Sequence, residues 1–268
     1  MDKKFHPAIA AIQAGDVEKL KELVAADPTL VTSRSTCSHP TLLQCLVLDA
    51  NGKPNAREMA QVLIDAGAEL NEPFGAAASI DNRPVAELLL EQGAAIDGTG
   101  GWSPLEEALY WNSQNMLALL LERGARVQNL RTAAGLGRLD LIENYFNADG
   151  TLKPEAGRID SPFGKRLAAG STDRQALINN AFVYACMHGH IDAAQLLLDK
   201  GAEINAIPGG FDFAGTGLHY AALNGHRAAV EFLLQHGADR NVKDTKVGST
   251  AAGWAEHGGH LELRDLLQ

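Results

Sequence analysis

The feature that most constrains the fold of this chain is a short segment that recurs five times. In its fullest form it has two or three leucines, two further residues, Gly-Ala, a polar residue, an aliphatic residue and Asn or Asp. The leucines predict the buried stripe at the end of a helix, and the glycine falls where a helix needs a left-handed residue to stop. The Asn or Asp then predicts a turn into the next unit. The five copies span residues 62–72, 88–98, 119–129, 196–206 and 232–242.

A second pattern precedes these segments and is clearest at 216–226, TGLHYAALNGH. Thr216 is placed to cap the start of a helix, and Ala221 and Ala222 belong to a stripe of small residues that lets two helices approach closely. Gly225 then turns the chain into the following helix. Each unit is therefore predicted to be a helix, a turn and a second helix. Weaker copies occupy 103–113, 180–190 and 249–260, and the first repeat spans 10–28.

Together these segments resemble the ankyrin repeat, in which T-P-L-H-x-A-A, G-H and a leucine run before Gly-Ala-Asp recur about every 33 residues. The resemblance covers nearly the whole chain, and the ending GWAEHGGH is similar to bacterial ankyrin proteins. It implies an all-α ankyrin-repeat solenoid, a single domain over 1–268, with about eight helix-turn-helix units joined by short β-hairpins or loops. The predicted units begin near residues 5, 37, 72, 101, 128, 176, 212 and 246.

The repeat pattern is interrupted once, over 147–175, where the Gly-Ala turn is missing and a segment with several prolines and glycines intervenes. Connections this long inside a compact domain are usually functional or disordered. The sequence therefore predicts one long irregular insertion, with a short helix near 164–169. Two interpretations stay open, namely a solvated surface loop and a wall or lid over the concave face of the solenoid.

Charge and motif content exclude several classes of function. A formal net charge of -10 disfavours binding to phosphate backbones, so nucleic acid is not an expected partner. No apolar run approaches the roughly 18 residues of a membrane span, which predicts a cytoplasmic protein with no membrane partner. The sequence motifs of hydrolases, phosphate-binding loops, zinc proteases and paired zinc cysteines are missing. We therefore expect no cofactor and no metal site, and enzymatic activity is not the favoured expectation.

Nine histidines raise the question of a catalytic or binding site. Under the ankyrin resemblance, three of them occupy the G-H position at the start of a second helix. His219 occupies a position that bonds between neighbouring repeats. His188 and His257 instead fall at variable positions of first helices, which in ankyrin repeats line the concave binding surface. The three histidines at G-H positions are His190, His226 and His260.

The same alignment places aromatic and amide side chains at these variable positions in the later units. All three tryptophans lie between residues 102 and 254, one of them at the position of the fourth unit that matches the long connection before the seventh unit. The long connection 206–215, AIPGGFDFAG, adds two phenylalanines around an aspartate, which we expect to be exposed beside the groove. Such a set indicates a binding surface, and the alternative is that some rings fill core space between repeats. The predicted binding residues are Trp102, Tyr110, Trp111, Tyr184, His188, Phe211, Asp212, Phe213, Tyr220, Asn224, Trp254 and His257.

These observations support three hypotheses. The first is a scaffold that recognises a protein partner through the aromatic C-terminal half of its concave face. The alternative is a small-molecule-binding protein or atypical enzyme, with a His, Tyr, Trp and Asp pocket in the groove covered by the 147–175 insertion. In that pocket His188 or His257 would act as a general acid or base, oriented by Asp212 or Glu256. The third is a structural spacer, which the uneven distribution of aromatic residues disfavours.

Overall fold

The computed structural model describes residues 2–37, 39–163 and 170–268. Seventeen α-helices and two short 3-10 helices lie in these ranges, which contain no β-strand and one isolated bridge between Phe146 and Leu152. The predicted all-α class is therefore confirmed. Residue contacts divide the chain into two compact units, unit 1 over Met1–Arg126 and unit 2 over Val127–Gln268.

Unit 1 is built from four helical pairs. Its α-helices are α1 (His6–Ala14), α2 (Val17–Ala26), α3 (Thr29–Thr32), α4 (Leu42–Asp49), α5 (Ala56–Asp65), α6 (Asn71–Ser79), α7 (Arg83–Glu91), α8 (Pro104–Tyr110) and α9 (Gln114–Glu122). The first helices α1, α4, α6 and α8 pack on one another in that order, and so do the second helices α2, α5, α7 and α9. The short helix α3 and the 3-10 helix at Lys3–Phe5 stand outside this alternation.

Unit 2 contains four further pairs. Its α-helices are α10 (Leu130–Gly135), α11 (Leu139–Asn144), α12 (Arg174–Met187), α13 (Ile191–Asp199), α14 (Gly217–Leu223), α15 (Arg227–Gln235), α16 (Ala251–His257) and α17 (Leu261–Leu267). The first helices α10, α12, α14 and α16 again pack in sequence. The described residues of the two units thus hold eight helical pairs, the number that the repeat period predicts.

The recurring glycines end the second helices as the sequence predicts. All five have φ between 83° and 99°, in the left-handed region. At Gly237, which follows α15, an added Cβ would meet no atom within 4 Å, so the backbone conformation alone requires glycine. Of the leucines that precede Gly237, Leu233 is fully buried.

Capping residues start several first helices. Thr41, Ser103 and Thr216 each form a capping box with the side chain three residues later. In a capping box two helix-end N–H groups that lack a partner within the helix are satisfied reciprocally, which fixes where the helix begins. Ser103 and Thr216 are the first residues of two copies of the second sequence pattern, those at 103–113 and 216–226.

The segment between α11 and α12 is described over 145–163 and 170–173. It holds the Phe146–Leu152 bridge, a 3-10 helix at Pro154–Ala156, and a hydrogen bond from the Ile159 N–H to the Ser171 carbonyl of 2.8 Å. Ala156 and Ile159 are buried within unit 2. The short helix predicted near 164–169 lies outside the described residues.

Candidate functional site

Four predicted site residues form one cluster in unit 2, the unit 2 ring cluster, which consists of Tyr184, Phe211, Tyr220 and Trp254. The ring of Phe211 lies 5.1 Å from that of Tyr184 and 4.9 Å from that of Tyr220. The Tyr220 ring meets Trp254 edge-on at 5.0 Å. Because Tyr184, Tyr220 and Trp254 come from α12, α14 and α16, the cluster ties three successive repeats together.

The expectation that these four rings are exposed is wrong. Phe211 is 3% exposed and Tyr184 1%, and the rings of Tyr220 and Trp254 are also buried. The physical reason is the long connection 206–215, which folds back so that Phe211 fills the space between two tyrosines. The alternative interpretation, that some rings fill core space, describes these four residues.

Two hydrogen bonds hold the connection in this position. The Asn180 side-chain amide on α12 donates to the Gly209 carbonyl at 3.0 Å, and the Tyr220 hydroxyl donates to the Phe213 carbonyl at 2.6 Å. Gly210 has a φ of 95°, and a Cβ there would lie 3.2 Å from the Asp160 carbonyl oxygen. Glycine is therefore needed both for the turn and for the close approach.

The other two predicted residues of the connection lie at its surface. Phe213 is 45% exposed, and the Lys246 ammonium stands 3.8 Å from the centre of its ring. Lys246 also pairs with Asp212. Phe213 is thus an exposed ring whose position is fixed by a cation–π contact and by the hydrogen bond to its carbonyl.

Asp244 orders the loop that carries Lys246, and the sequence analysis did not single it out. Its carboxylate accepts hydrogen bonds from the backbone N–H groups of Lys246, Val247 and Ser249 and from the Trp254 indole N–H at 3.0 Å. Burial would raise the pKa of Asp244, but these donors outweigh it and hold the pKa well below its usual range. The aspartate followed by Gly248 and Ser249 was the available signal of a side-chain-capped turn.

The two histidines predicted at variable positions lie nearer the surface. His188 is half-buried at the end of α12 with its ring stacked on that of His190 at 6.4 Å, and His257 is exposed at the end of α16. Of the proposed orienting carboxylates, Asp212 pairs with Lys246 and Glu256 lies 3.6 Å from Arg264. The structure therefore gives both carboxylates a cation as partner.

His219 and Asn224 join neighbouring repeats. One ring nitrogen of His219 lies 2.9 Å from the Thr216 hydroxyl in the capping box, and the other lies 3.2 Å from the Ser249 carbonyl of the next repeat. The predicted inter-repeat role of His219 is confirmed. Asn224 donates to the Met187 carbonyl at 3.0 Å, so its amide links α14 to α12.

The remaining predicted residues form a second cluster, the unit 1 ring cluster, which consists of Trp102, Tyr110 and Trp111. The Tyr110 ring is edge-on to Trp102 at 6.2 Å and to Trp111 at 5.1 Å. Trp111 is 47% exposed, and the other two rings are half-buried. Unlike the unit 2 ring cluster, this one reaches the surface.

Glu107 binds the two indoles of the unit 1 ring cluster, and the sequence analysis missed it. The Trp111 indole N–H donates to its Oε1 at 2.9 Å, and the Trp102 indole N–H donates to its Oε2. Burial raises the pKa of Glu107 in spite of these donors. Its position four residues before Trp111 on a predicted helix was the available signal, because residues i and i+4 lie on one face.

The described residues provide neither a cluster of metal ligands nor a membrane-spanning helix. Nowhere in 2–37, 39–163 and 170–268 do three or more His, Cys, Asp or Glu side chains converge as ligands of a metal ion. None of the helices in the described part of the chain is both long enough and apolar enough to cross a bilayer.

Stacked helical pairs with exposed side chains on the first helices define a repeat scaffold. Family models agree with this class: one described as ankyrin repeats (3 copies) matches residues 46–131, and one described as ankyrin repeats (many copies) matches 182–234. The chain belongs to the ankyrin-repeat family. No curated protein matches the sequence. Ankyrin repeats serve generally as protein-interaction scaffolds, and that is the class of function to which this chain is assigned.

Proposed function

We propose that the chain binds a protein partner through aromatic side chains that stay exposed on its repeats, Trp111 on unit 1 and Phe213 on unit 2. The observation that carries the proposal is their exposure, 47% and 45%, beside rings that are half or fully buried. Aromatic anchors surrounded by packed neighbours are the usual centres of binding energy at protein interfaces.

Both anchors are held in place before a partner arrives. Trp111 is fixed on unit 1 by its hydrogen bond to Glu107, and Phe213 is fixed on unit 2 by Lys246 and Tyr220. Rigid anchors lose little conformational entropy on binding, so more of their contact energy is left for affinity. Each surface is proposed for its own unit.

The test is a selection of displayed peptides against the immobilised intact chain, followed by dissociation constants for the purified binders. A binder that docks on unit 1 is expected to weaken about 30-fold or more with Trp111→Ala, and one that docks on unit 2 to weaken similarly with Phe213→Ala. Both variants remove an exposed side chain, so the fold should persist, and far-ultraviolet circular dichroism checks this.

Matched controls come from other exposed apolar side chains. Leu121 on α9 is 44% exposed and Leu261 on α17 is 51% exposed, and neither belongs to a ring cluster. Leu121→Ala and Leu261→Ala should leave affinity within about threefold. Binders that lose as much affinity with the leucine variants as with the aromatic variants would refute the proposed surfaces.

A further inference from the structure

The unit 1 ring cluster surrounds a carboxylate with aromatic rings. Both oxygens of Glu107 accept an indole N–H, one from Trp102 and one from Trp111, and Tyr110 stands edge-on to both indoles. The carboxylate therefore fixes the angle of the two indole faces. Trp111 brings this arrangement to the surface of the unit.

The Glu107 carboxylate is the acidic group of the cluster, and the two N–H groups that it binds belong to neutral indoles. Within the described part of the chain, Glu107 forms no ion pair, and the neighbouring carboxylate, Glu106, is used in capping the helix through Ser103. The faces of aromatic rings are also negative because of their quadrupole. Desolvation raises the pKa of Glu107. A cation bound beside the carboxylate would oppose this effect, because it stabilises the charged form.

We propose that Trp102, Glu107, Tyr110 and Trp111 bind a cationic side chain, the ammonium of a lysine or the guanidinium of an arginine, on a basic segment of the protein partner. The cation would lie on the indole face of Trp111 with Glu107 as its counter-charge. Cation–π attraction is strongest on tryptophan and increases when the pair is partly desolvated. The net charge of -10 favours the approach of a basic segment. The inference rests on the proposed protein-binding function and specifies the chemistry of one of its surfaces.

The experiment titrates three capped tripeptides into the intact chain and follows the tryptophan indole N–H signals by NMR. The probes are acetyl-Gly-Lys-Gly-amide, its arginine analogue, and the norleucine analogue, which keeps the apolar stem and removes the charge. Trp254 is an internal control, because its indole N–H also donates to a carboxylate, that of Asp244, within unit 2.

The Trp102 and Trp111 signals are expected to shift and saturate at millimolar lysine or arginine peptide, with little shift from the norleucine peptide and none at Trp254. Glu107→Gln should weaken the response about fivefold or more, since the amide can still accept one indole N–H but carries no charge. Glu122→Gln is the matched control, because Glu122 belongs to the same repeat but pairs with Arg83. Because both substitutions lie in unit 1 and Trp254 lies in unit 2, far-ultraviolet circular dichroism checks that each variant keeps its helices.

A salt series on the unaltered chain gives a measurement that needs no variant. Raising sodium chloride from 10 to 500 mM should weaken the lysine response several-fold, because the contact lies partly in solvent. Equal shifts with the norleucine peptide, no salt dependence, or an unchanged response in Glu107→Gln would each overturn the inference.

The displayed-peptide selection separates this inference from the proposed function. Binders that need Trp111 and are enriched in lysine or arginine support both. Binders that need Trp111 but carry neither residue overturn the cation site and leave the protein-binding proposal standing. If the lysine peptide binds but no selected binder depends on Trp111, the cation site stands and protein binding at the unit 1 ring cluster is refuted.

Discussion

Phe211 gives the sharpest test of how unit 2 is held together. Phe211 is 3% exposed, and its ring contacts the rings of Tyr184 and Tyr220. Replacing it by alanine leaves a cavity between two repeats and removes the buried aromatic ring of the connection. We expect Phe211→Ala to destabilise unit 2 strongly while the first helices remain formed.

The magnitude follows from three contributions. Burying a phenylalanine side chain stabilises a fold by about 1.5–3 kcal/mol, and each well-oriented aromatic pair adds about 0.5–1.5 kcal/mol. The loss of two such pairs, together with an unfilled cavity, gives a cost of about 3–5 kcal/mol, which is the range known for this substitution in protein cores. With a urea slope of about 1–3 kcal/mol per molar, the unfolding midpoint of unit 2 should fall by about 1 M or more.

The assay is urea unfolding followed by the fluorescence of Trp254, in a chain where Trp102 and Trp111 are replaced by phenylalanine. Trp254 lies 5.0 Å from Tyr220 and reports on the same cluster. Phe213→Ala is the matched control, since it removes the same side chain two residues away at an exposed position and should cost less than about 1 kcal/mol. Equal losses for the two variants would refute the packing described for Phe211.

Three further predictions concern single turns and buried groups. Gly237→Val should lower the free energy of unfolding by about 1 kcal/mol or more because φ is 88°, and Gly237→Asn should cost less; urea unfolding measures both. Burial lowers the pKa of His190, His219 and His226 from 6.5. As the pH falls, the unfolded chain therefore takes up protons on these histidines before the folded chain does. Stability is therefore full above pH 6.5 and falls as the pH drops towards the folded-state values; urea midpoints between pH 8 and 5 that stay constant would contradict this. Asp244→Asn should cost about 2 kcal/mol or more, since one amide oxygen replaces a carboxylate that accepts four N–H groups, and thermal unfolding measures the loss.

The repeat architecture could be predicted from the sequence because its determinants are local. A glycine that must adopt a left-handed conformation, a run of leucines before it, and a threonine or serine at a helix start each act within a few residues. Gly237, Leu233 and Thr216 all have the conformation or burial that their sequence position indicates. Local signals of this kind repeat with the period of the fold, so agreement between copies strengthens each one.

The exposure of the aromatic residues could not be predicted in the same way. Phe211 and Phe213 flank one aspartate in a connection with no regular structure, and nothing in the local sequence decides which ring turns inward. The choice depends on partners distant in sequence, the Asn180 amide that fixes Gly209 and the Tyr220 hydroxyl that fixes the Phe213 carbonyl. A consensus alignment gives a residue its position in the repeat, but it does not show what an unusually long connection covers.

In the described part of the chain, two carboxylates that accept indole N–H groups, Asp244 and Glu107, show why similar geometry leads to different roles. The Asp244 carboxylate binds the Trp254 indole and three backbone N–H groups, so hydrogen bonding outweighs burial and its pKa is lowered. Its charge is already stabilised by the loop that it orders, which makes it a structural group. The Glu107 carboxylate has two indole donors, and burial prevails, so its pKa is raised. A carboxylate whose charge is incompletely stabilised, beside a half-exposed tryptophan, has more to gain from an external cation. This difference in the number of N–H donors is the physical basis for proposing a cation site at Glu107 and its rings, and a structural role for Asp244.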